Sequence, residues 1–282
     1  MAKQNTGTYT TAGFAGVWYG VRDADGYLTG NSTTAPVGGA TGSPLYRLIG
    51  AVTANIPLTE ALIVNVSGDD GVITTFTFPP DALPTGNLTL ASRDPVFEGI
   101  SKGTKVYTNG QVVTSLNVSK GDTYQPLFLH MVRQAQTTDP NNFGNKRWEN
   151  VILPNVVVQP LFNTLETRAH APFNFRVDLR MTNALGTGET FTDASYGATL
   201  GAMYTRFTNY PYHHMVYTGD NTTVEFNLEY TPISTAEIKV FVNGVPATVS
   251  SVNTTTKTFT LSSAPATSAI VIAYYGFPES EL

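Results

Sequence analysis

Residues 217–277 read YTGDNTTVEFNLEYTPISTAEIKVFVNGVPATVSSVNTTTKTFTLSSAPATSAIVIAYYGF, and this stretch decides the fold class. Val224, Phe226 and Leu228 alternate with Glu225, Asn227 and Glu229, and Ile238, Val240 and Val242 alternate with Lys239, Phe241 and Asn243. Alternation with period two puts one set of side chains in a core and the other in water, as half-buried antiparallel strands require. Asn243-Gly244 falls between two such runs. A type I′ hairpin turn needs positive φ at both central residues, which Asn and Gly tolerate best. Two more strands follow at residues 257–261 and 269–275. The stretch predicts a small β-sandwich that carries no reactive group.

The body upstream also reads mainly as strand. Residues 45–54 (LYRLIGAVTA), 61–67 and 72–78 are apolar and β-branched, separated by Pro57 and Gly68-Asp69-Asp70-Gly71 and ended by Pro79-Pro80. They predict consecutive strands, the last two joined as a hairpin. Residues 126–135 (PLFLHMVRQA) fit neither the helical nor the strand period; the β-rich surroundings and the run at 148–153 assign a strand. Residues 155–164 and 171–180 follow as further strands, and in the second Phe173, Phe175, Val177 and Leu179 alternate strictly with Asn174, Arg176, Asp178 and Arg180. One short helix is predicted after Asp94, with Asp94 as N-cap, Pro95 at the first helical position and Gly103 just past the end. Val96, Phe97 and Ile100 would share its buried face. Residues 23–44 and 137–146 are rich in Gly, Thr, Asn and Asp and read as loops. Pro211 marks a boundary, giving a body at 1–211 and a C-terminal module at 212–282.

Composition limits the function. Only 13% of the 282 residues are charged, while 41% are hydrophobic, so Thr, Asn, Gly and Ser fill the surface positions that charges usually hold. Sheets with such faces suit a surface covered by other copies, because charge is depleted from interface cores. The chain lacks cysteine, which excludes disulfides, thiolate metal sites and cysteine nucleophiles. The first twenty residues have neither the basic segment nor the apolar core of a secretory signal, and no apolar stretch is long enough for a membrane anchor. The six Asn-x-Ser/Thr triplets, at Asn31, Asn65, Asn87, Asn117, Asn221 and Asn253, are expected by chance in so Asn- and Thr-rich a chain. A net charge of −5 with scattered basic residues argues against tight nucleic-acid binding.

Candidate chemistry is sparse. His213-His214 is the one histidine pair, but neighbours on a strand point to opposite faces and do not converge on one metal; a place at the junction of body and module explains the pair better. His130 and His170 have no carboxylate at a telling spacing. Asp69-Asp70 lacks the spacing and terminal Glu of a calcium loop and reads as a hairpin turn; Asp23-x-Asp25-Gly26 is a weaker fragment of the same kind. Neither a Gly-x-Ser-x-Gly elbow nor a phosphate-binding loop occurs. No catalytic, cofactor-binding or metal residue is predicted, and the chain does not read as an enzyme.

The C-terminal run YTGDNTTVEFNL…IKVFVNGV…TFTLSSAPA…IVIAYY resembles the Ig-like β-sandwich modules appended to structural proteins of tailed bacteriophages. The order of parts upstream, tandem strands, then SRDPVFEGISKGTKVYTNG, then long strands ending in FNFRVDLRM, resembles major tail (tail tube) proteins of long-tailed phages. The resemblance implies an all-β chain: a β-sandwich or barrel tube domain with one short flanking helix, plus a C-terminal Ig-like β-sandwich. It implies a virion protein, made in the host cytoplasm, that stacks in hexameric rings. Its partners would be its own copies and other tail proteins, with genomic DNA passing through without specific binding. An acidic subunit suits such a conduit, and Asp178 and Glu60 are candidates for its lining. A capsid decoration or head-fibre protein, or a host-surface adsorption protein, would share the composition; a virion glycan hydrolase is a more distant alternative.

Overall fold

Alternating residues and tight turns build a chain that is mainly β, with one α-helix among the described residues. A computed structural model describes residues 9–22, 28, 45–48, 51–55, 62–68, 71–78, 85–92, 94–103, 105–109, 112–117, 123–137, 147–161, 173–180, 192–193, 197–198 and 203–282. The first half holds β1 (Tyr9–Val21), β2 (Leu45–Arg47), β3 (Ala51–Asn55), β4 (Leu62–Gly68), β5 (Gly71–Phe78), β6 (Thr85–Leu90), α1 (Pro95–Lys102), β7 (Lys105–Asn109), β8 (Val112–Asn117) and β9 (Pro126–Thr137). Then come β10 (Trp148–Pro160), β11 (Phe173–Leu179), β12 (Thr192–Asp193), β13 (Gly197–Ala198) and β14 (Tyr204–Thr208). The C-terminal strands are β15 (Tyr212–Thr218), β16 (Glu225–Asn227), β17 (Ile238–Val242), β18 (Val245–Ala247), β19 (Val249–Asn253), β20 (Thr258–Leu261) and β21 (Ile270–Gly276).

The largest sheet runs β2-β1-β9-β10-β11-β6-β3. β14 joins it on the first half of β10, and β11 takes the second half. Its two end strands, β2 and β3, are separated along the chain only by residues 48–50, and β3 lies against β1. The sheet therefore curls back on itself into a barrel, and the Leu48 N–H donates to the Val17 carbonyl (2.8 Å), which extends the β1–β2 ladder towards β3. Residues 45–54, expected as one strand, are two: the chain leaves the partner at one edge and reaches the partner at the other.

Val17, Tyr19, Leu129, Met131, Val156 and Phe175 are among the side chains that fill the barrel. Helix α1 closes it: Phe97 is fully buried and meets Tyr19 and Phe175 edge-on, with ring centroids 4.7 and 5.1 Å apart. The Asp94 carboxylate caps the helix by accepting the Val96 and Phe97 N–H groups, each at 3.0 Å. Gly103 ends it in the left-handed conformation (φ 65°), where a Cβ would sit 2.6 Å from the Thr123 carbonyl oxygen.

The runs expected as separate strands at 148–153 and 155–164 are one strand, β10, which ends at Pro160. Pro154 lacks an N–H and cannot complete the ladder, and the register against β9 shifts between Leu153 and Val156. The ambiguity at 126–135 has a physical origin. Every residue from Leu127 to Val132 is buried, because β9 packs against the barrel interior on one face and the C-terminal module on the other.

Residues after Pro211 form two facing sheets, β15-β21-β17-β18 and β16-β20-β19. Phe226 and Phe259 stack between them at 5.2 Å. Asn243 and Gly244 both have positive φ (49° and 79°) and join β17 to β18 as a two-residue hairpin. One hydrophobic cluster crosses the junction. It unites Trp18, Phe128, Trp148 and Ile152 of the barrel wall with Met215, Tyr275 and Phe277 of the module. Arg47 of β2 also donates to the Leu282 main-chain oxygen (2.8 Å).

Among the described residues three two-stranded hairpins lie outside these sheets: β4–β5, β7–β8, which packs against α1, and the short β12–β13. β4–β5 and β7–β8 each form a two-stranded sheet with no third strand among the described residues. Gly68 pairs with Gly71, which agrees with the hairpin read from Gly68-Asp69-Asp70-Gly71.

Candidate functional site

Two places combine burial with polar groups. The first is a cleft of about 360 Å³ at the barrel, lined by Phe14, Ala54, Met131, Val151 and Thr205 on β1, β3, β9, β10 and β14 and by Met203 just before β14, with Arg133 and Glu149 beside them. Arg133 and Glu149 lie opposite each other in the β9–β10 register. The guanidinium grips the carboxylate in two bonds, Nε to Oε2 at 2.5 Å and an Nη to Oε1 at 2.9 Å. Glu149 is only 6% exposed, so this bidentate pairing compensates its buried charge. Held in this way, the pair offers the cleft neither a free base nor a free acid.

The second place is the junction. β15 is the edge strand of its sheet and meets the barrel wall so that both of its histidines reach it. His213 lies 5.7 Å from Trp18, while His214 lies 5.2 Å from Phe128 and 5.0 Å from His130, measured between ring centroids. All three imidazoles are completely buried. His130 Nε2 bonds the Asn150 side-chain oxygen (3.0 Å), and Asn150 in turn donates to the Thr208 hydroxyl (2.8 Å). His213 Nε2 bonds Glu229 (2.9 Å). Among the described residues neither ring nitrogen of His214 has a hydrogen-bond partner, and the Nδ1 atoms of His130 and His213 lack one too. Burial holds the His130 pKa down to about 3, and burial followed by the neighbouring histidines holds His214 well below the usual imidazole range.

No protein-family model matches the chain, and no curated protein does either.

The adjacent histidines do face opposite ways, yet the fold brings His130 to them from 83 residues upstream in sequence. Among the described residues no group of His, Asp and Glu is placed to hold a metal ion. Asp178 sits on β11, where its carboxylate accepts from Arg176 Nε (2.7 Å) and the Thr85 hydroxyl (3.2 Å). His170, Glu60, Asp69, Asp70, Asp23, Asp25 and Gly26 lie outside the described residues, as do the loops read at 23–44 and 137–146 apart from Leu28 and Thr137. Among the described residues no helix is long and apolar enough to cross a membrane.

Sequence reasoning passed over the Arg133–Glu149 pair. Its only signal was one charged residue in each of two apolar runs, and matching them needs the β9–β10 register, which is not local information.

Proposed function

We propose that this chain is a virion structural protein that self-assembles into stacked, hexameric rings to form a phage tail tube conducting genomic DNA. The observation that carries this reading is that the hairpins β4–β5 and β7–β8 are joined by no further strand among the described residues. An isolated two-stranded hairpin is marginal in water. Exposed strand edges are templates for another chain. Copies of the same subunit would supply the missing partners, and a chain with only 13% charged residues lowers the desolvation that such contacts cost.

The conduit would lie between subunits, since each barrel interior is filled by its own side chains and closed by α1. A net charge of −5 disfavours phosphate adhesion, which suits passage of DNA without specific binding. Other tail proteins would cap the polymer. Two-unit organisation at 1–211 and 212–282 fits an outer module carried on a tube-forming body, although the shared cluster makes the module part of the body's stability.

Negative-stain microscopy and sedimentation of the purified chain test the proposal. Hollow tubes or six-fold rings are expected. Compact monomers or trimers at all concentrations would favour a capsid decoration protein, and binding to whole host cells would favour an adsorption protein.

A further inference from the structure

We propose that the histidine cluster at the junction is an acid-operated latch, which holds the C-terminal sandwich on the barrel at neutral pH and releases it when His130 and His214 take up protons. The inference does not depend on the tube reading. It rests on the position of the cluster, on its complete burial and on what surrounds it.

His130 projects from the barrel wall on β9 and His214 from the edge strand β15, so their contact (5.0 Å between centroids) is a contact between the two units. The groups around them are cationic, aromatic or neutral. From β10 comes the Asn150 amide. From β14 comes the Arg206 guanidinium, which lies 5.5 Å from the Tyr274 ring and acts on both imidazoles. From β21 comes Tyr274, with its ring 4.7 Å from that of His214. β15 itself adds His213 and Tyr212; the Tyr212 hydroxyl is bonded to Glu237, which lies just before β17. On the far side of β15, His213 meets Tyr230, Tyr275 and the carboxylate of Glu229. Lys239 of β17 pairs with Tyr274 along the backbone, and Arg47 of β2 acts on Tyr230.

Among the described residues no carboxylate acts on His130 or His214. An imidazolium at either position would be buried beside another imidazole and near a guanidinium, without an anion. Both rings are thus neutral while the junction is closed and can charge freely once it is open.

The sign follows from that difference. A group whose pKa is depressed in the closed form stabilises it fully above the free imidazole value, near 6.5, and progressively less as the pH falls towards the closed-form value. Each such histidine favours the open form about tenfold per pH unit below 6.5, so two together favour it about a hundredfold per unit. The fold supplies its own reporter, because both tryptophans, Trp18 and Trp148, belong to the junction cluster.

The experiment is an acid titration of the full chain from pH 8 to pH 4, read by tryptophan emission, far-ultraviolet circular dichroism and small-angle scattering. The expected result is a red shift and an increase in radius between pH 6.5 and 4.5, with a two-proton slope, while the β signal is retained. The variants H214F and H214L should each reduce the slope towards one proton and move the transition to lower pH. Unchanged emission and radius down to pH 4 would overturn the proposal, and so would loss of the β signal in step with emission, which is unfolding of the whole chain. An unmoved transition in whichever variant folds would do the same; if neither folds, the titration of the unaltered chain decides.

Discussion

Replacing Trp18 with alanine tests the claim that barrel and sandwich share one core. Trp18 is 1% exposed, and its indole lies between the barrel wall and His213 of the module, 5.7 Å away. A buried tryptophan contributes about 200 Å² of largely apolar area, which at about 25 cal/mol per Å² is about 5 kcal/mol. Measured Trp-to-Ala changes in cores cost about 3–5 kcal/mol, the spread reflecting how far the site collapses. For a chain of this size that is a fall in melting temperature of roughly 6–20 °C. Urea unfolding followed by circular dichroism and by the remaining reporter, Trp148, measures it. The reasoning predicts that signals from both units move to lower urea together, because each loses the same contact. V245A is the control: Val245 is 65% exposed and the change should stay within about 0.5 kcal/mol. A loss below about 1 kcal/mol for Trp18→Ala would refute the shared core, as would destabilisation confined to one unit.

Deleting residues 212–282 should uncover the wall that carries Trp18, Phe128, Trp148 and Ile152 and leave an aggregating body; a soluble truncated chain with native-like circular dichroism would contradict this. Gly16→Ala should cost about 1–3 kcal/mol in thermal melts, since a Cβ there would lie 2.2 Å from the Trp18 indole. Asp94→Ala should lower stability by about 1 kcal/mol through loss of the helix cap, and Asp94→Asn should recover most of it, as chemical denaturation would show. Arg133→Ala should cost about 1–3 kcal/mol by stranding Glu149, whereas the double change to Leu at both positions should restore much of the loss.

The parts of the fold that were legible in sequence are those whose signal is local. The cap at Asp94, the terminator Gly103, the Asn243-Gly244 turn and the alternation in β11 and β16 each lie within a few residues, and each predicted its element. β1 gave no such signal. It is buried on both faces around Trp18 and interrupted by Gly13 and Gly16, so neither period shows. The split of residues 45–54 between two sheet edges was invisible for a similar reason: both halves are apolar strand, and only barrel closure assigns them different partners. At the candidate sites, the opposite facing of His213 and His214 followed from the geometry of a strand. Their meeting with His130 depends on how β15 docks on β9, which no window of sequence contains.

The shared cluster has a consequence for synthesis. β9 and β10 leave the ribosome with Phe128 and Ile152, yet the side chains that cover them include Phe277, more than a hundred residues later. At translation rates of about 5–20 residues per second, the nascent barrel shows an uncovered greasy wall for on the order of ten seconds. Each new copy is thus vulnerable to premature clumping until its last strand docks, and a chaperone acting in that interval would govern the yield of subunits.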